Sequence, residues 1–446
     1  MKFIFCSSWI TLVAVTSVAW AGPDALITTA SEPGNPVDLR LQIDYSVISE
    51  TSAIRRESLS GGALDPVGSG KDLVSAHTRH VITPSLELGL FHDFWLAATL
   101  PITLSDKRQL SLDGIARGDS SSIGDGIVPN GGFDANDPGA GLPSGDLVFR
   151  GVTRSGLDQL WLGLGVAPMN QQKDDTKPTW KIGANIALPI GKTARFNRAN
   201  PSNQTGVGSG VFEVNLWTTV TKRMGRAEPF FALAWQAPVA SQTDSLFTDP
   251  GFGATNALPP QKGSLRFGSH LYVFDKPADH VNVTLGAEAR SVMHFEGRSY
   301  TEMWEAFAFA GDADTANAPL TLDSSPTTTG IQGSSHPGIS NVENYLELGG
   351  SFSVRAQLGS KVHLGFIADV FHNTTHAISF SDAGVDLPSC GSSRSSNCEN
   401  ENNEVVNPGT EEVNPLHAPL IDLVGHRYLA AGNLGMAFSV QATAVF

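Results

Sequence analysis

The sequence predicts an all-β protein, a transmembrane antiparallel β-barrel of about twelve strands with short turns at one end and long loops at the other. Three observations carry this. Apolar and polar residues alternate at period two over long runs. The connections between those runs alternate between short and long. Beyond the N-terminal region, no stretch is apolar for the roughly 18 residues that a helical span needs. Period two is the mark of a strand whose two faces meet different surroundings.

Composition bounds the rest. The chain has 446 residues and a net charge of −15, a balance that argues against nucleic acid, whose phosphates call for basic surfaces. Charged residues make up only 16% and glycine is plentiful at 46, yet mean hydropathy is −0.06. A helical membrane protein would be far more apolar. A barrel need not be, because half of each strand faces water.

At the N-terminus Lys2 precedes the apolar run "FIFCSSWITLVAVTSVAW", and Ala19 and Ala21 form a small-x-small site before Gly22. Residues 1–21 are therefore expected to be a cleaved signal peptide, 22–36 a periplasmic N-terminal linker and 37–446 the barrel. Of the three cysteines, Cys6 lies in the signal. Cys390 and Cys398, in "SCGSSRSSNCEN", are expected to form a disulfide in an exported loop.

The first strand is "VDLRLQIDYSV". Val37, Leu39, Leu41, Ile43, Tyr45 and Val47 share one face, and Asp38, Arg40, Gln42, Asp44 and Ser46 the other. About eleven residues suffice to cross a bilayer at a tilt. "SLELGLFHDFWLAATLPI" reads as a hairpin turning at His92 and Asp93. "LWLGLGVAP" pairs with "TWKIGANIALPIG", and "VFEVNLWTTVTKR" with "PFFALAWQAP". "SLRFGSHLYVF" pairs with "HVNVTLGAEARSVMHFEG", and "NYLELGGSFSVRAQL" with "VHLGFIADVF". Long connections are expected at 49–76, 105–156, 191–208, 239–263, 298–341 and 372–425. Soluble domains seldom carry so many, whereas outer-membrane barrels do so systematically.

The last run, "LGMAFSVQATAVF", puts Phe438, Val440, Ala442, Ala444 and Phe446 on one face. In lipid an open sheet edge is not tolerated, so this strand is expected to close the barrel against the first. Phe446, with Phe438, is expected to act as the assembly signal read by the barrel-assembly machinery. An even strand count would leave both termini in the periplasm.

Several of these stretches resemble the outer-membrane family described as putative MetA-pathway of phenol degradation transporters. The resemblance lies in "LELGLFHDFWLAATLPI", "GLDQLWLGLGV", "IALPIG" and "TGVGSGVFEVNLWTTVTKRMG", which together cover well under half of the chain. The family's "GLGDL" step stands here as "GLDQL". The resemblance implies an outer-membrane barrel presumed to pass hydrophobic compounds, and it brings no catalytic residues.

Residues expected to line the lumen are Asp38, Arg40 and Asp44 of the first strand, Glu87, Lys181, Arg266 and His270. They continue with Glu288, Arg290 and His294 of the ninth strand and with Glu347, Arg355, His363 and Asp369. Such charges either select solutes in a polar pore or pair with one another and stiffen a narrow one. No Ser partner stands at a defined spacing from His270, His294 or His363, so no enzyme, and no cofactor, is expected. "SIGDGIVPNGGFDANDPGAG" lacks the spacing of a calcium loop and reads as a solvated outer loop, with no metal. "SYTEMWEAFAF" reads as a short helix capping loop residues, insertion at the pore mouth being the alternative.

The expectation is an outer-membrane, porin-like channel for passive passage of small molecules. Its partners would be the lipid bilayer, the assembly machinery and a small-molecule solute. The alternative is a non-transporting structural or surface-interaction barrel that acts through its outer loops.

Overall fold

In the computed structural model the described residues are 38–57, 70–142, 145–248, 256–311, 319–320, 336–380, 418–423 and 425–446. The expected signal peptide, linker and Cys390–Cys398 pair lie outside them. The described strands form a single sheet that closes on itself as a twelve-stave antiparallel barrel.

The first staves are β1 (Leu39–Arg56) and β2 (Gly70–Gly89). The third is β3 (Phe94–Thr99), resumed past Pro101 as β4 (Ile102–Leu112). Two short strands of the following loop, β5 (Phe133–Asp134) and β6 (Leu147–Arg150), extend the sheet at the far end of β4. The fourth stave is β7 (Arg154–Leu157) with β8 (Gln159–Met169). Then come β9 (Thr179–Pro189), β10 (Val211–Thr221), β11 (Ala227–Ser241) and β12 (Lys262–Lys276). β13 (Val281–His294) continues as β14 (Gly297–Ser299), and β15 (Ser340–Val342) leads into β16 (Tyr345–Leu358). β17 (Val362–Asn373) continues as β18 (His376–Ser379), and β19 (Tyr428–Val445) is the last.

Closure is made by β1 and β19, paired from Arg40 with Val445 to Arg56 with Tyr428. The seam ends on a reciprocal pair. The Leu39 N–H donates to the Phe446 carbonyl at 3.1 Å, and the Phe446 N–H to the Leu39 carbonyl at 2.8 Å. No edge is left, as a hydrocarbon surrounding requires.

The alternation sorts side chains as expected. Leu41, Ile43, Phe267, Phe352, Phe438 and Val440 point out and stay exposed, Val440 at 57%. On a soluble protein such a continuous apolar surface would be a liability; around a closed barrel it is the lipid-facing belt. No described helix is long and apolar enough to cross a membrane. A closed barrel with this belt is an outer-membrane protein.

At one end the staves are joined by short turns, at 90–93, 170–178, 222–226, 277–280 and 359–361. His92 and Asp93 take positive φ (56° and 60°) in the first of these, at the turn expected there. At the other end the loops are long, but shorter than the sequence suggested. β1 runs on to Arg56, β2 begins at Gly70 and β4 reaches Leu112. Much of 49–76 and the start of 105–156 are thus strand, not loop. Several inward residues there are apolar, Ile54, Leu73, Leu110 and Leu112 among them. Both faces of those segments are mixed, so the period-two contrast fades.

Those residues build a hydrophobic core inside the long-loop mouth, together with Phe149, Met303, Phe307, Phe380 and Tyr428. The short helix α1 (Ser121–Gly124) lies in the loop after β4, and at the centre of the core sits α2 (Trp304–Ala310), every residue of which is buried. The "SYTEMWEAFAF" segment therefore does more than cap a loop. Met303, Phe307 and Phe309 turn into the core, Trp304 is buried toward the chamber beneath, and the helix plugs the mouth.

Candidate functional site

β13 measures the lumen from end to end. Its inward residues, from the short turns upward, are Asn282, Thr284, Gly286, Glu288, Arg290, Val292 and His294. Asn282 and Thr284 line a vestibule of about 500 Å³ at the short-turn end. His294 lines a second chamber of about 240 Å³ beneath the plug. Glu288 and Arg290 stand between the two.

The intervening layer is ionic. Arg266 makes a two-pronged contact with Glu288, Nε to Oε1 at 2.8 Å and Nη2 to Oε2 at 2.6 Å. Arg290 donates to Glu347 Oε1 at 3.0 Å and to Asp369 Oδ2 at 2.6 Å, with its guanidinium over Phe371. Two-pronged, charge-assisted contacts of this kind fix geometry as well as charge. Sequence pattern alone placed all five of these charged residues on the inner face, though not as partners.

Across the closed ring, the wall is aromatic. Trp95, Gly165, Gly183 and Trp217 form one cross-strand row over β3, β8, β9 and β10. A Cβ at Gly165 would collide with the Trp95 indole, and one at Gly183 with that of Trp217. The glycines thus leave room for the two rings, whose centroids lie 6.3 Å apart. The sequence reading missed this platform because it counted only polar residues as lumen. The signal was present: apolar Phe94 and Leu96 alternate with Trp95, so a strand that turns them outward turns Trp95 in.

The other expected lining residues are placed as follows. Arg40 and Glu87 face inward and meet at 3.3 Å. Asp44 is buried opposite Gln441, and Lys181 is half-buried opposite Thr219. Arg355 lies 3.3 Å from His270 in the vestibule, which His363 also lines. Asp38 precedes β1, where its carbonyl accepts the Gly89 N–H at 2.8 Å, so it belongs to the rim of the short-turn end. His294 stacks on Tyr345 at 4.2 Å, and Tyr345 on His376 at 4.3 Å. Among the described residues no group of His, Cys, Asp and Glu is placed to hold a metal ion.

The upper chamber brings in residues that the sequence did not single out. His77 sits between Asp106, at 3.1 Å, and Glu50, at 3.6 Å. Arg154 forms a buried pair with Glu305 of α2 at 2.5 Å, and its guanidinium lies over Trp304. Arg108 donates to the Thr301 carbonyl at 3.1 Å. These contacts tie the plug to the barrel wall. Above the strands Tyr300 donates to the Ala194 carbonyl at 3.0 Å, and burial pushes its phenol well above the ordinary value, so it stays neutral.

No family model matches this chain, and no curated protein does. Solved structures do. The COG4313 outer membrane channel from Pseudomonas putida F1 is 9% identical over 91% of this chain and 95% of that one, with a TM-score of 0.37. A Pseudomonas aeruginosa FadL homologue is 9% identical over 98% and 99%, at 0.33. The TodX monoaromatic hydrocarbon channel deltaS2 mutant is 7% identical over 91% and 90%, at 0.31. At these values the likeness says nothing of what this chain carries, and the resemblance to the phenol-degradation family stays a resemblance.

Proposed function

We propose that this protein is an outer-membrane channel for the passive passage of small molecules and that it is not an enzyme. One observation carries the reading. Two chambers lie in series along the lumen, divided by the Arg266–Glu288 and Arg290–Glu347–Asp369 layer. An apolar filling would have been the simpler way to stabilise a closed scaffold. Here polar groups keep space open, and elsewhere on the lumen wall the Trp95–Trp217 platform adds an apolar surface. The lumen accordingly suits solutes with both an apolar face and polar groups, hydrophobic compounds with a polar handle among them. In this reading the short turns face the periplasm and the long loops face outward. Insertion follows recognition of Phe446 by the assembly machinery, and Cys390 and Cys398 close a loop at the surface.

The plug favours a second reading, a barrel that does not transport and meets partners through its loops. α2 fills the long-loop mouth with aromatic rings and is pinned by Arg154. Liposome swelling with solutes of graded size decides between them. Swelling that depends on solute size upholds the channel. Its absence, with the protein correctly inserted, leaves the platform.

A further inference from the structure

The chamber beneath the plug has walls that do not satisfy themselves. Glu50, Ser52, His294, Trp304 and Asn373 all line it, and each is at most 3% exposed. Among the described residues, Glu50 Oε1, Ser52 Oγ, His294 Nε2, Trp304 Nε1 and both amide atoms of Asn373 have no hydrogen-bond partner. Buried polar atoms are paired almost everywhere in proteins, so such a concentration around one cavity calls for an occupant.

The chemistry of the unmatched atoms narrows that occupant. Trp304 Nε1 and the Asn373 amino group only donate. Asn373 Oδ1 only accepts, and Glu50 Oε1 accepts whether the group is a carboxylate or presents its carbonyl oxygen. Ser52 and His294 do either. Donors and acceptors are mixed within one wall. A carboxylate ligand would leave the acceptors unmatched, and an ammonium the donors. Apolar compounds would leave both. A hydroxyl group donates and accepts at once, and several on one small frame would answer the whole set. The volume, about 240 Å³, is below the roughly 300 Å³ at which pockets for drug-sized ligands begin.

We propose that this chamber is a binding station for a small polyhydroxylated solute, of the size of a monosaccharide or cyclitol. The inference rests on the channel reading for the solute's route, not for the chamber itself.

Isothermal titration calorimetry on the purified full chain in detergent tests it, with D-glucose, myo-inositol and toluene as probes. Saturable binding of a hydroxylated probe is expected. Asn373→Ala and Ser52→Ala should each weaken it about ten-fold, since each removes a partner of a buried group. Toluene should not compete. No saturable binding of either hydroxylated probe means that water alone fills the chamber and overturns the proposal. So do unchanged affinity in both variants and displacement by toluene. Folding of each variant is checked by heat-modifiable mobility on gels; if Asn373→Ala does not fold, Ser52→Ala and His294→Gln carry the test. Planar-bilayer conductance of the same preparation separates the two readings. Conductance without binding overturns the station alone, whereas binding without conductance upholds the station and removes the channel.

Discussion

Trp217 and Gly183 face each other across β10 and β9, and the indole occupies the space that any side chain at 183 would need. The backbone of one strand is thus the seat for the aromatic ring of the next. Gly183→Ala should displace the ring and lower stability by about 1–3 kcal/mol, the usual effect of overpacking. Tryptophan fluorescence and thermal unfolding check this. An unshifted spectrum with unchanged stability would mean that the ring does not rest there.

The Arg154–Glu305 pair is the second point of leverage. Both side chains are nearly inaccessible, at 3% and 4%. Glu305→Gln leaves the guanidinium with less compensation, and removing one partner of such a pair weakens a fold by about 3–5 kcal/mol. The barrel is held by its ladders, so the loss should fall on the plug. Single-channel recordings should show larger or more frequent openings than in the parent. Identical traces would remove Arg154 as the anchor of α2.

The lipid face gives a third expectation. Leu285 points out of β13 between Leu271 and Val354, whereas Asn282 lines the vestibule. Leu285→Arg should weaken the inserted barrel by roughly 2–4 kcal/mol near the midplane, and Asn282→Arg much less. Urea unfolding in lipid vesicles measures both. Equal losses would contradict the assigned phase.

Phe446 is 57% exposed, with the Lys361 ammonium 5.8 Å from its ring centroid. Phe446→Ala forfeits about 0.5–1 kcal/mol of cation–π attraction and leaves the backbone seam intact. The variant is expected at reduced levels in the outer membrane, with more periplasmic degradation, while the inserted fraction keeps heat-modifiable mobility. Wild-type levels would remove the sorting role.

The plug should weaken in acid. His336 is buried against Phe380, its Nδ1 accepts the Gly338 N–H, and burial with the nearby Arg298 guanidinium pulls its pKa down to about 3. Released, the ring would titrate near 6.5. The released form therefore takes up a proton as pH falls through 6.5, and the packed form does not until about 3. Packing is fully favoured above 6.5 and loses about 2 kcal/mol by pH 5. Limited proteolysis of the long loops should speed up across that interval, and less so in His336→Gln.

The strand phases were legible because most lipid-facing residues are apolar and most water-facing neighbours are not, as over 281–290 of β13 and 438–444 of β19. The outer extensions were not legible. Leu73 and Leu110 point inward to α2, so apolar residues fall on the face expected to be polar. Trp95 and Trp217 were hidden for the same reason, in the middle of the barrel. The pairing of Arg290 with both Glu347 and Asp369 joins residues far apart in sequence, and it becomes visible only once three staves are aligned.

The seam between β1 and β19 also bears on when the protein can form. Its partners, Arg40 and Val445, stand almost a full chain length apart. Loop closure over such separations is slow, because entropy is lost before contacts return it. The intermediate staves can pair with sequence neighbours as they emerge, but the ring cannot shut until the last of them arrives. Until then two bare strand edges are exposed at once. The interval between export and closure is therefore the protein's most vulnerable period.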